Sequence, residues 1–110
     1  MTSLNTRAGC ALALLAALAP PLQAKPTVHT ILIDGMRFIP QTVTVKAGDT
    51  VVWRNKDPFP HTATAAAGSR GPASPVIAAG GSWRFRATKA GTYAYLCTLH
   101  QTMTATLVVK

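Results

Sequence analysis

No glutamate occurs among the 110 residues, and aspartate appears only as Asp34, Asp49 and Asp57, against eleven lysines and arginines. The resulting formal charge of +8 favours acidic partners and fast, salt-sensitive association, and it says little about fold. It does not point to nucleic acid, because the basic residues are scattered singly along the chain. Long apolar runs are missing too. Ala8 to Leu18 is the nearest approach and is too short to span a bilayer. With Arg7 before it and Leu22-Gln23-Ala24 after it, this stretch reads as a secretory signal peptide covering residues 1–24. The mature chain then begins at Lys25, carries no membrane span, and is expected in the periplasm as a monomer.

Cysteine is the third scarcity. Cys10 leaves with the signal peptide, so Cys97 stands alone and no disulfide can form within residues 25–110. An unpaired thiol in an oxidising compartment is a liability unless something occupies it, and a metal ion would do so. Convincing helical periodicity is also absent. The residues instead fall into short alternating runs broken by turn formers. Val28–Ile33, a piece near Met36–Ile39, Thr42–Lys46, Thr50–Arg54, Ser82–Arg86, Thr92–Cys97 and Met103–Val109 all read as strands, and Val76-Ile77 as a short strand or edge. Thr42–Lys46 and Thr50–Arg54 are predicted to form a hairpin, and a five-residue loop, 98–102, to join the last two strands. Gly68–Pro75 is rich in turn formers and reads as a mobile surface loop. Seven or eight strands at this spacing predict an all-β, antiparallel Greek-key β-sandwich occupying residues 25–110.

The chemistry is concentrated in one heptapeptide. Cys97-Thr98-Leu99-His100-Gln101-Thr102-Met103 places a thiol, an imidazole and a thioether at intervals of three, and His61 offers a second imidazole from upstream. Two histidines and a thiolate near one plane, with a weak axial methionine, form the ligand set of a type 1 copper. Such a mixture accommodates both copper(I) and copper(II) with little rearrangement, which suits fast one-electron transfer. Four protein ligands leave no open coordination position, so hydrolytic or oxygen-activating catalysis is not expected. Zinc would recruit a further cysteine, histidine or carboxylate where this chain offers only a thioether. A cysteine nucleophile would lack an orienting acid. His29, in the first strand, has no evident partner and no role in the site.

At these positions the chain resembles the cupredoxins, and within them the amicyanin and plastocyanin-like group. The resemblance runs through Met36-Arg37-Phe38-Ile39-Pro40, Val45-Lys46-Ala47-Gly48-Asp49-Thr50-Val51-Val52-Trp53, Asn55 and Ala90-Gly91-Thr92-Tyr93-Ala94-Tyr95-Leu96-Cys97. The short C-x2-H-x2-M loop is similar to that of amicyanin. The resemblance implies one copper per chain held by His61, Cys97, His100 and Met103. It also implies that Asn55 ties the ligand loops together, with its backbone amide directed at the Cys97 thiolate. Leu99 stands where amicyanin-type loops carry proline, so its N–H is free to donate a second hydrogen bond to the sulfur and raise the reduction potential. Thr104-Ala105 replaces a glycine that commonly follows the methionine. Electrons are expected to leave through His100, set among Met36, Phe59, Pro60 and Leu99, toward a transient acidic redox partner. A c-type cytochrome, a copper nitrite reductase and an amine dehydrogenase all fit. Copper storage or delivery would use the same ligands, and a metal-free adhesion module would bind no copper.

Overall fold

The computed structural model describes residues 25–110, so the expected signal peptide lies outside the described residues. Eight strands form two four-stranded sheets: β1 (Val28–Ile33), β2 (Phe38–Ile39), β3 (Thr42–Val45), β4 (Thr50–Asn55), β5 (Thr64–Ala65), β6 (Ser82–Arg86), β7 (Gly91–Cys97) and β8 (His100–Val109). One sheet runs β2-β1-β4-β6 and the other β3-β8-β7-β5, as a β-sandwich requires. The sandwich is not wholly antiparallel as expected: β1 with β4 and β3 with β8 pair in parallel, because the chain crosses between the sheets instead of folding back as a hairpin. Alternation then decides what is buried. Ile31, Ile33, Val51 and Trp53 point inward from the first sheet, and Val45, Tyr95, Ala105, Leu107 and Val109 meet them from the second. Trp53 is fully enclosed, with ring centroids 5.6 Å from both Trp83 and Tyr95, and its Nε1–H donates to the Tyr95 hydroxyl at 3.3 Å. Burial pushes the Tyr95 phenol up to about 12, against the smaller opposing effect of that bond, so it stays protonated in the core.

The expected hairpin of β3 and β4 does not form. β3 pairs with β8, while β4 pairs with β1 and β6, so the chain crosses from one sheet to the other between them. Both strands alternate in the same way whether they share a sheet or face each other across the core, so periodicity could not tell the two arrangements apart. The corner itself is built from polar contacts. Asp49 accepts from the amides of Thr27 and Lys46 and pairs with His29 Nε2 at 2.9 Å, and Gly48 turns the chain with a φ of 100°. His29 therefore has a partner that sequence reasoning did not find.

Gly68–Pro75 is likewise tied down. Ala65 N–H donates to the Pro72 carbonyl, Ser74 N–H to the Ala63 carbonyl and Ala63 N–H to Ser74 Oγ, while the Pro72 ring is fully buried. Gly71 fits because a Cβ there would meet Ala65 Cβ at 2.7 Å and Tyr93 Cδ1 at 2.8 Å. At the far end of β7 the ladder slips. Leu96 pairs with Thr104 but Cys97 pairs with His100, so Gln101, Thr102 and Met103 have no partner on β7. The link between the strands is thus two residues, Thr98 and Leu99, followed by a bulge, and not the five-residue loop the sequence predicts. Bulges of this kind re-aim side chains at the end of a sheet.

Candidate metal centre

Three of the four sequence-predicted ligands converge at this pole. Cys97 ends β7 on its inward face and is fully buried, and His100, opposite it, is half-buried. His61 follows β4 on a separate loop, anchored by reciprocal backbone bonds with Ile77, and is fully buried. His61 Nδ1 lies 3.6 Å from Cys97 Sγ and 3.2 Å from His100 Nδ1, and Cys97 Sγ lies 3.8 Å from His100 Nδ1. Those three edges define a triangle whose centre is about 2 Å from every corner, the length of a metal–imidazole bond and a few tenths of an ångström short of the ~2.3 Å of a metal–thiolate bond. The donors therefore fit a trigonal His2Cys metal, the arrangement of a type 1 copper. Met103 is buried within the unpaired stretch just beyond His100.

Asp57 fixes the orientation of the His61 ring. Its carboxylate lies 2.9 Å from His61 Nε2 and also accepts from the amides of Gly35 at 2.7 Å and Met36 at 2.9 Å. Both of those residues hold left-handed backbone, with φ values of 61° and 62°, which aims two successive N–H groups at one anion. Burial pushes the Asp57 carboxyl up, but the Met36 and Gly35 amides and His61 outweigh it and hold the group below its ordinary range. A carboxylate facing Nε2 places the ring hydrogen there and leaves the Nδ1 lone pair directed at the other two donors. Nothing in the residue pattern singled out Asp57 beyond its being one of three acids.

Asn55 ties the loop before His61 together, though not in the expected way. Its backbone amide donates to Gly81, while its side-chain NH2 donates to the carbonyls of Phe59 and Ile77 and its Oδ1 accepts from Asp57 N–H. The amide aimed at the Cys97 sulfur belongs instead to Thr62, at 3.3 Å. Among the described residues it is the one backbone N–H bonded to that sulfur, so the second donor expected from Leu99 is not formed. Thr62 also clasps the two ligand loops through its hydroxyl, which accepts from Thr98 N–H at 2.9 Å and from Thr64 Oγ1 at 3.0 Å. Asn55 and Thr62 flank the segment running from β4 through His61, and spacing does not say which of their amides faces the thiolate.

Outside this pocket the rim is apolar. Phe59 and Leu99 are 51% and 49% exposed, Pro60 is exposed and Met36 half-buried. Phe59 thus belongs to the surface and not to the core.

Fold and site together define a small β-sandwich metalloprotein with a buried thiolate and two imidazoles at one pole. Residues 8–109 match the cupredoxin-like domain family model. Amicyanin of Paracoccus denitrificans is 33% identical over 84% of this chain and 74% of its own. A solved amicyanin mutant in the Cu(I) form superposes with a TM-score of 0.71 at 31% identity, covering 86% of this chain and 89% of that one. A copper-containing nitrite reductase from Thermus scotoductus matches with a TM-score of 0.67 at 28% identity, over 84% of this chain but 24% of the enzyme. The chain belongs to the cupredoxin-like domain family. Its metal is copper, and it is a blue copper protein of the electron-transfer class.

Proposed function

We propose that the mature chain is an exported, single-domain electron carrier without catalytic turnover of its own, in which His61, Cys97 and His100 would hold the copper ion and Met103 would supply the fourth, thioether ligand. Copper bound there supplies a one-electron couple between its cupric and cuprous states. The observation that carries this reading is the triangle of Nδ1, Sγ and Nδ1 atoms with edges of 3.2 to 3.8 Å. Donors already at ligand spacing, on loops pinned by Asn55, Asp57 and Thr62, have little freedom to rearrange when the charge on the metal changes. Fixed geometry favours electron exchange over release of the ion.

His61 and Cys97, fully buried, keep water from the inner side of the site, and the half-buried His100 is the ring that reaches the surface. Phe59, Pro60 and Leu99 around it form a small apolar contact suited to brief docking with a redox protein of acidic surface, such as a c-type cytochrome, a copper nitrite reductase or an amine dehydrogenase. Removal of residues 1–24 during export would place this monomer in the periplasm.

Cycling the copper-loaded protein between a chemical reductant and oxidant, with a copper(I) chelator present, separates carrier from courier. The visible band should return fully at each oxidation. Stepwise loss of copper to the chelator on every reduction would identify a delivery protein instead.

A further inference from the structure

Charge is distributed unevenly over the two outer faces of the sandwich. On the β2-β1-β4-β6 sheet, Arg54, Arg84 and Arg86 all face outward and are exposed, because their neighbours Trp53, Trp83 and Phe85 point into the core. Register places them together: Arg84 lies opposite Val52, Arg54 opposite Ser82 and Arg86 opposite Thr50. They form a diagonal band that starts one residue from Asn55 and runs about 13 Å away from the metal pole. No carboxylate forms a salt bridge with it among the described residues. Asp49 and Asp57 are buried in their own contacts, and Asp34 lies beyond the end of β1. The outer face of the other sheet is uncharged and exposes Thr42, Thr44, Ala94 and Thr104.

We propose that the outer face of the β2-β1-β4-β6 sheet is a second docking surface, separate from the His100 rim, and that its occupant is an acidic patch of a redox protein. The inference builds on the electron-carrier reading. Guanidinium groups match carboxylates with paired, directional hydrogen bonds, and three of them on one face without a salt-bridge partner attract and orient an acidic partner. A second observation favours a redox protein over an anionic lipid surface. Directly beneath Arg84 the aromatic rings are continuous: Trp83 stacks on Phe85 at 5.9 Å, Trp83 lies 5.6 Å from Trp53, Trp53 lies 5.6 Å from Tyr95, and Tyr95 precedes Cys97 by two residues on the same face of β7. An electron arriving at this face meets a packed path to the metal pole, which binding to a lipid headgroup would not require.

The test is an NMR titration of the isotopically labelled, copper(I)-loaded mature protein at low salt, with hexaglutamate as the acidic probe and phosphatidylglycerol vesicles as the lipid probe. Amide shifts on adding hexaglutamate should cluster at Arg54, Arg84 and Arg86 and vanish at high salt. The double variant Arg84→Glu/Arg86→Glu should weaken binding about tenfold, while Lys46→Glu/Lys110→Glu, with the same net charge, should change it little. Shifts spread evenly, shifts centred elsewhere, equal weakening in both double variants, or preferential binding of vesicles through these arginines would overturn the proposal. The visible spectrum of each oxidised variant is recorded in parallel. A colourless wild type would defeat the electron-carrier reading, whereas a blue protein that fails the titration would defeat only the docking surface.

Discussion

Thr62 and Asp57 do not touch the metal's position directly, yet they decide how His61 and Cys97 meet it. Asp57 holds His61 by Nε2, with its own charge held by the two amides of the Gly35–Met36 turn. Partners of this type commonly change metal affinity by about 10- to 100-fold when removed. Asp57→Ala should therefore lower copper(I) affinity by about that factor in competition with a chelator. An unchanged affinity would show that the ring is positioned by packing alone. Thr62→Val keeps the backbone N–H on the sulfur but leaves the Thr98 amide without its acceptor. Thr98 is exposed and water can replace the lost acceptor, so the loss is that of one ordinary hydrogen bond, about 0.5–1.5 kcal/mol, to be read as a lower urea midpoint that Thr62→Ser largely restores. Equal midpoints for the wild type and Thr62→Val would refute the clasp. The ligand residues themselves were legible in the sequence because Cys97, His100 and Met103 carry rare chemistry at a fixed spacing. Their supports were not, since an aspartate, a threonine hydroxyl and one particular backbone amide acquire their roles only from loop geometry.

Among the elements, the corner between β3 and β4 is the least expected, and its carboxylate makes its stability depend on pH. Asp49 gathers the N–H groups of Thr27 and Lys46 and the ring of His29, and these bonds, chiefly the two amides, lower its carboxyl from 3.8 to about 2. The folded chain thus binds this proton less readily than the unfolded chain does. The resulting stability is present above pH 3.8 and is lost as the pH falls through about 2. The stability difference between the wild type and Asp49→Asn should accordingly be largest above 3.8 and shrink toward pH 2, as measured by denaturant unfolding. A gap that stays constant across this range would remove the charge from the explanation. Strand positions could be read from alternation, which is set by side-chain burial on each sheet face. The assignment of β3 and β4 to different sheets could not, because a residue facing the core looks the same from either side. Nor could the anchoring of Gly68–Pro75, where a run of turn formers is fastened by backbone bonds and one buried proline ring.

As a whole, the molecule has a pole that binds the metal, a basic sheet face and a neutral one, joined by a core whose aromatic rings reach from β6 to β7. The sandwich carries two loops to one point, and that convergence gives a lone cysteine and two distant histidines a common task. The most direct test is to add cupric ion to the purified mature chain and record its visible spectrum beside that of Cys97→Ser. One copper per chain with an intense visible band, lost in the serine variant, is the expected result. A colourless protein, or a band that survives the loss of the thiolate, would contradict it.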